Sequence, residues 1–159
     1  MKTFRTPPLR ERISLALDAA RGSDDGTRLC TLRLMDAALR DREAARRARD
    51  EAGDLDEAEV AEVLCTMLRQ RMTSVSGYEE SGRLDLAEEE RAEMDVIREF
   101  LPKPLSEKEF SEAVSGAIAE VGARSLADLA AVMAALKGRW AGRMDFCRAG
   151  AEVRDRLRR

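Results

Sequence analysis

The chain contains no histidine, and this absence removes several common chemistries. Without an imidazole there is no Ser–His or Cys–His nucleophile pair, no histidine metal ligand and no general base that titrates near neutral pH. The sequence also lacks a GxxxxGK[ST] phosphate-binding loop and a pair of carboxylates set apart from surface charge. We therefore assign no catalytic residue, metal site or cofactor, and an independent enzyme is disfavoured.

The chain has only three cysteines, and none lies close to another in the sequence. Cys30, Cys65 and Cys147 are odd in number, lie far apart and form no CxxC motif. This pattern argues against a disulfide framework or a zinc site. It favours small apolar side chains that are buried in a core.

Long apolar runs are also missing. No stretch approaches the roughly 20 residues that a membrane-spanning helix needs. The N-terminal stretch MKTFRTPPLRER lacks the apolar core of a secretion signal. We expect a cytoplasmic protein. Its net charge of −3 means that any attraction to nucleic acid must come from a local patch.

The residues that are abundant favour helices. Hydrophobic residues make up 44% of the chain and charged residues 37%, with only 4% aromatic. Ala, Leu, Glu and Arg dominate, and these side chains lose little rotamer freedom in a helix. No run alternates with a period of two, as a half-buried strand would. The sequence therefore predicts an all-α fold.

A proline-rich break divides the chain. Pro102 and Pro104 end an acidic amphipathic helix, because proline lacks a backbone donor and restricts the residue before it. The stretch Ser106–Glu109 then has the form of a helix capping box. We predict a larger N-terminal subdomain of antiparallel helices, residues 1–101, and a smaller C-terminal subdomain of three helices, residues 102–159.

Apolar stripes at helical spacing predict the core and the helix ends. The third and fourth helices carry stripes that include Met72 and Leu84, which we expect to be buried. The second helix is expected to continue to Gly53. The helix that begins at Ser125 is expected to end at Lys137-Gly138. The acidic side chains of the fourth helix, from Glu88 to Asp95, are expected to be surface charge.

Two stretches are locally basic. Residues 40–49 hold five arginines and two acidic residues, and residues 137–159 hold eight basic and three acidic residues, which gives net charges of +3 and +5. The first stretch is typical of a helix that projects beyond its core, of a phosphate-facing surface, or of a solvated face with pairs such as Glu43–Arg47. The second stretch closes the chain.

Several segments, in order, resemble the YqeY-like proteins, which share a region with the tail of the B subunit of the tRNA-dependent amidotransferase. The resemblance covers nearly the whole chain and is most specific from Arg71 to Leu105. The segments that carry it read LRERISLALDAARG, TLRLMDAALRDRE, MLRQRMTSVSGYEESGRLDLAEEERAEMDVIREFLPKPLSEKE and IAEVGARSLADLAAVMAALKGRWAGRMDF.

The resemblance implies a helical fold of two subdomains and a bacterial protein. It also implies an association with carbon–nitrogen ligation that uses glutamine as the amide nitrogen donor. In the amidotransferase the similar tail helps to hold tRNA while another domain activates the substrate. A stand-alone chain of this kind lacks the catalytic part of the B subunit and its amidase partner. The resemblance therefore implies a non-catalytic accessory module with tRNA or another structured RNA as its partner, alongside translation-related proteins.

The segment 137–143 is similar to the basic glycine loop between the last two helices of that family. As an RNA site, its lysine and arginines would contact phosphates, its glycines would allow close backbone approach, and its tryptophan would stack on a base or cover the core. The other interpretation is that glycine ends a helix, the tryptophan caps the core and the arginines are solvated. A protein-interaction adaptor that does not bind RNA is the alternative function. The candidate nucleic-acid-binding residues are Lys137, Gly138, Arg139, Trp140, Gly142 and Arg143.

Overall fold

Helices form the secondary structure of the chain, as its composition predicts. A computed structural model describes residues 6–159, and within that range there are seven α-helices, one short 3-10 helix and no strand. The all-α prediction is confirmed. Residues 1–5 lie outside the described residues, and with them the start of the stretch considered for a targeting signal.

Contacts between backbone positions divide the chain into two compact units at the bond between Leu101 and Pro102. We call the residues up to Leu101 the N-terminal unit and those from Pro102 the C-terminal unit. Each unit has a hydrophobic core of its own. The N-terminal unit consists of α1 (Leu9–Ala20), α2 (Gly26–Ala48), α3 (Glu57–Glu80) and α4 (Leu84–Arg98).

Local sequence sets where these helices begin and end. The Asp25 side chain accepts a hydrogen bond from the backbone N–H of Arg28 at 2.9 Å and caps α2. Asp56 and Glu59 form a reciprocal capping box that begins α3. The prediction that the second helix continues to Gly53 was wrong, because α2 ends at Ala48 and Asp50 then takes a left-handed φ of 54°.

The core of the N-terminal unit covers only the first part of α3. Leu64 is fully buried, whereas Met72, two turns later, is 56% exposed. Leu84, at the start of α4, is 62% exposed. The prediction that Met72 and Leu84 are buried was therefore wrong. The largest fully buried side chains of this core are Ile13, Leu32, Met35, Leu39, Leu64 and Ile97.

An ion-pair cluster joins α3 and α4 beyond that core. The side chain of Arg71 is only 12% exposed, and its Nη2 lies 2.6 Å from a carboxylate oxygen of Glu93. Glu90 lies farther away, 3.9 Å from the Arg71 Nε. The prediction of surface charge is confirmed for Glu88 and Asp95, which are exposed. It was wrong for Glu90 and Glu93, which are half-buried.

The C-terminal unit begins after the proline break. It contains α5 (Glu107–Val121), the 3-10 helix Leu126–Asp128, α6 (Leu129–Trp140) and α7 (Phe146–Arg158). The predicted capping box at Ser106 and Glu109 is confirmed, and Gly122 ends α5 with a left-handed φ of 67°. The core of the C-terminal unit includes Phe110, Val114, Val132, Leu136, Met144 and Val153.

The cysteines do not belong to either core. Cys30 and Cys147 are exposed, and Cys65 is half-buried. The expectation that these side chains are buried was wrong, because each lies off the most buried stripe of its helix. Across residues 6–159, every helix is too short or too polar to cross a membrane.

Candidate nucleic-acid interface

The predicted loop 137–143 is divided between a helix and a turn. The prediction that the helix ends at Lys137-Gly138 was wrong, because α6 continues to Trp140. Gly138 therefore lies inside the last turn of a helix, with open space around its Cα. Gly142 makes the reversal instead: it is buried and has a φ of 76°, a conformation that favours glycine.

Trp140 and Arg143 form one packed feature at the end of α6. Trp140 is half-buried and packs against the core of the C-terminal unit. The guanidinium carbon of Arg143 lies 5.5 Å from the centroid of the Trp140 ring, within the range of a cation–π contact. Trp140 thus covers the core, and Arg143 covers one face of Trp140.

The same turn is fastened to the segment that follows the proline break. The Arg143 Nε donates a hydrogen bond to the carbonyl oxygen of Lys103 at 2.8 Å. The backbone N–H of Leu105 donates to the carbonyl oxygen of Arg143 at 2.9 Å. These bonds bring Lys103 beside the predicted site. Sequence reasoning missed Lys103, because it lies 40 residues from Arg143 and only the packing of the two segments joins them.

Lys137 and Arg139 lie on different sides of α6. Two residues apart in an α-helix correspond to a rotation of about 200°. The Lys137 Nζ lies 5.9 Å from the centroid of the Phe146 ring, at the start of α7. Arg139 is exposed and lines a hollow of about 210 Å³ between α5 and α6. The cations therefore surround the end of α6 and do not form one flat patch.

Carboxylates border the Arg139 side of this region. Glu109, Glu112 and Glu120 line the same hollow as Arg139 and Trp140. The pKa of Glu109 is lowered, first because its carboxylate accepts the backbone N–H of Ser106, and further because Arg143 and Lys103 lie near. Cations in a last helical turn also stabilise the negative end of the helix dipole.

The other basic stretch, at the end of α2, is engaged in ion pairs. Arg46 pairs with Glu59 of α3, and Arg42 lies 3.7 Å from Glu62. Arg40 lies 2.8 Å from Asp36, within α2 itself. These arginines therefore hold helices together or are neutralised locally. Among the interpretations of residues 40–49, a face of paired charges fits best, although Arg46 is largely buried and not solvated.

The predicted partner of Arg47 is engaged elsewhere. The Glu43 carboxylate accepts a hydrogen bond from the Arg10 Nε at 2.8 Å, which joins α2 to α1. The Arg10 Nη2 also lies 3.0 Å from Asp36. The arginine of one helix thus bridges two carboxylates of the next.

Several carboxylates of the C-terminal unit are stabilised in their charged form. The pKa of Glu107 is lowered because its carboxylate is hydrogen-bonded by the Arg148 guanidinium. The pKa of Asp128 is lowered because its carboxylate accepts the backbone N–H groups of Arg124 and Ser125. Together with Glu109, these groups bind protons less readily in the folded unit than in the unfolded chain.

We therefore expect acid to destabilise the C-terminal unit. A carboxylate with a lowered folded-state pKa contributes stability above its unfolded pKa, which is about 4.3 for glutamate. That contribution is lost as the pH falls through the lowered value. Urea unfolding at pH 7 and at about pH 3, followed by the fluorescence of the single tryptophan, Trp140, measures the difference.

The variant Glu107→Gln/Glu109→Gln is the matched test of this pH dependence. It removes two of the three carboxylates with lowered pKa values and should flatten the dependence between pH 7 and pH 3. An unchanged dependence in this variant would mean that other groups cause the acid sensitivity.

The sequence model of a family described as Yqey-like protein matches residues 10–157. This match includes both units and the whole of the candidate interface. No curated protein shows significant similarity to the chain.

Proposed function

The chain belongs to the YqeY-like family, as the match over residues 10–157 shows. On that premise we propose that it is a non-catalytic RNA-binding module with tRNA as its favoured ligand. The proposed site is the end of α6 and the turn after it. Its cations are Lys137, Arg139 and Arg143, joined by Lys103. Gly138, Trp140 and Gly142 shape the surface that presents them.

The observation that supports this proposal most directly is the local excess of positive charge in an acidic chain. Residues 137–159 carry a net charge of +5, whereas the whole chain carries −3. A phosphate backbone is attracted by such a patch even when the protein as a whole repels it.

Arg143 is the side chain best prepared to hold a phosphate. Its Nε is used by the Lys103 carbonyl and its plane lies over Trp140, which fixes the direction of the guanidinium. Neither terminal nitrogen donates a hydrogen bond to the residues that the structure describes, although the charge of Glu109 lies near. A pre-oriented guanidinium loses little side-chain entropy when it binds an anion, and its terminal nitrogens match two phosphate oxygens.

The proposed role is accessory. By its resemblance to the amidotransferase tail, the chain would hold tRNA in the cytoplasm while a partner protein performs the chemistry. The family's association with glutamine-dependent carbon–nitrogen ligation would then describe the partner's reaction. The proposal gives this chain no bond-forming step of its own.

Direct binding of tRNA by the full chain tests this proposal. We expect fluorescence anisotropy at low salt to show binding by the unaltered protein. The variant Lys137→Ala/Arg139→Ala/Arg143→Ala should bind at least about tenfold more weakly, because several phosphate contacts are lost. The variant Lys137→Ala/Arg139→Ala keeps the Arg143 contacts and should show an intermediate loss. Far-UV circular dichroism of both variants verifies that they are folded.

The control variant removes the same charge from the other unit. Arg21→Ala/Arg83→Ala/Arg98→Ala changes three exposed arginines of the N-terminal unit and should leave tRNA binding nearly unchanged. Equal losses in both triple variants would mean that the attraction is diffuse and that the site is misplaced. Absence of binding by the unaltered protein at low salt would contradict the proposal itself.

A further inference from the structure

A second hollow of the C-terminal unit lies between the ends of α5 and α7, and the candidate interface does not use it. Its volume is about 490 Å³. Apolar side chains form part of its lining. On one side these are Ile118 of α5 and Ala123, which follows that helix, and on the other side Leu157 of α7. All three are half-buried. An apolar side chain from outside could cover this surface and remove it from water.

Three arginines border the hollow. The Arg156 guanidinium is held by Glu152 at 2.7 Å and by the Ser111 hydroxyl at 2.9 Å, so it forms a fixed wall. Arg159 lies 2.7 Å from Asp155, and both are exposed. The guanidinium of Arg124 has no partner among residues 6–159. None of the residues that line the hollow is acidic. Its unpaired positive charge is that of Arg124, because Glu152 and Asp155 pair with the other two arginines.

The chain itself carries a surface of the opposite kind. Leu84 is 62% exposed, the largest exposed fraction of any large hydrophobic residue in the part of the chain that the structure describes. Asp85, Glu88 and Glu89 lie beside it on the first turns of α4, at spacings that place all four on one side of the helix. Asp85 and Glu89 have no ion pair among the described residues.

We propose that the hollow between α5 and α7 receives the start of α4, centred on Leu84, from a second copy of the chain. Leu84 fills the apolar part, and the carboxylates of Asp85 and Glu89 face Arg124 and Arg159. In the pair that we propose, each copy receives the α4 start of the other, so the contact is made twice.

Charge over the whole chain agrees with this pairing. Residues 102–159 hold 11 basic and 8 acidic side chains, and residues 1–101 hold 17 and 23, so the net charges are +3 and −6. The C-terminal unit of one copy therefore attracts the N-terminal unit of another. A nucleic acid fits the hollow less well, because its apolar lining gains nothing from phosphate and contains no aromatic side chain on which a base could stack.

Sedimentation velocity of the full chain tests the proposal. The contact is small, so we expect a monomer–dimer equilibrium that becomes visible between about 1 μM and about 1 mM and weakens as salt is raised. The variant Arg124→Glu/Arg159→Glu should be monomeric over this range. The variant Leu84→Ala should dimerise at least about tenfold more weakly, and it tests the apolar part without any change of charge.

A charge exchange separates this contact from a general loss of association. Asp85→Arg/Glu89→Arg alone should be monomeric, and the chain that combines it with Arg124→Glu/Arg159→Glu should dimerise again. Met72→Ala, which removes a different exposed side chain, is the control and should leave the equilibrium unchanged.

Three results would overturn the proposal. The first is an unaltered protein that stays monomeric at every concentration. The second is a dimer that neither Leu84→Ala nor Arg124→Glu/Arg159→Glu weakens. The third is an Arg124→Glu/Arg159→Glu protein that remains dimeric but loses tRNA binding, which would assign the hollow to RNA.

Discussion

Leu64→Ala should lower the free energy of unfolding of the N-terminal unit by about 2–5 kcal/mol. Leu64 is fully buried in the core of that unit, on the part of α3 that α1, α2 and α4 surround. Truncation removes buried methyl groups and leaves a cavity that a close-packed core fills only partly. Urea unfolding followed by far-UV circular dichroism measures this loss.

Met72→Ala is the matched control on the same helix. Met72 lies eight residues after Leu64 and is 56% exposed, so its truncation should change the free energy of unfolding by less than about 0.5 kcal/mol. Alanine is a strong helix former, so neither change weakens α3 through propensity. A loss at Met72 as large as that at Leu64 would show that the end of α3 is covered in solution.

Leu136→Ala should have an effect of similar size, confined to the C-terminal unit. Leu136 is buried in the core of that unit, on α6, one turn before Trp140. We expect a loss of about 2–5 kcal/mol. Trp140 is the only tryptophan of the chain, so its fluorescence reports the unfolding of this unit alone.

The two truncations together test whether the units fold separately, as we propose from the division between Leu101 and Pro102. In that case Leu136→Ala shifts the Trp140 fluorescence transition, and Leu64→Ala leaves that transition where it is. A Leu64→Ala protein whose fluorescence transition shifts by the full amount would show that both units unfold as one cooperative body.

The fold class and several boundaries follow from local rules that the sequence displays. Ser106 and Glu109 stand at capping-box spacing after a proline, and Gly122 stands where α5 must end. At these positions the side chains of Ser106 and Glu109 satisfy backbone donors within their own turn, and glycine accepts a left-handed φ without strain. They could therefore be recognised without knowledge of the tertiary structure.

Other features depend on what the rest of the chain covers. The apolar period of α3 continues through Met72, but a period shows which residues share a face and not where the neighbouring helices end. Gly138 looked like a helix end, yet packing of Leu136 and Trp140 against the core carries α6 past it. Here tertiary contacts outweigh the roughly 1 kcal/mol that glycine costs inside a helix.

The candidate interface was predictable as a segment but not as a surface. Its charges are visible in residues 137–143, whereas their directions depend on the helical turn that separates Lys137 from Arg139. The bond from Arg143 to the Lys103 carbonyl and the ion pairs of Arg71 join residues distant in sequence. No local pattern specifies such partners.

The dependence of tRNA binding on salt is the most direct measurement of the central claim. A site that neutralises three or four phosphates releases the counterions condensed on them. A plot of the logarithm of the binding constant against the logarithm of the salt concentration should therefore have a slope of about −2 to −4. The variant Lys137→Ala/Arg139→Ala/Arg143→Ala should lose most of that slope together with its affinity. A variant that retains the slope of the unaltered protein would contradict the claim that these residues contact the phosphates.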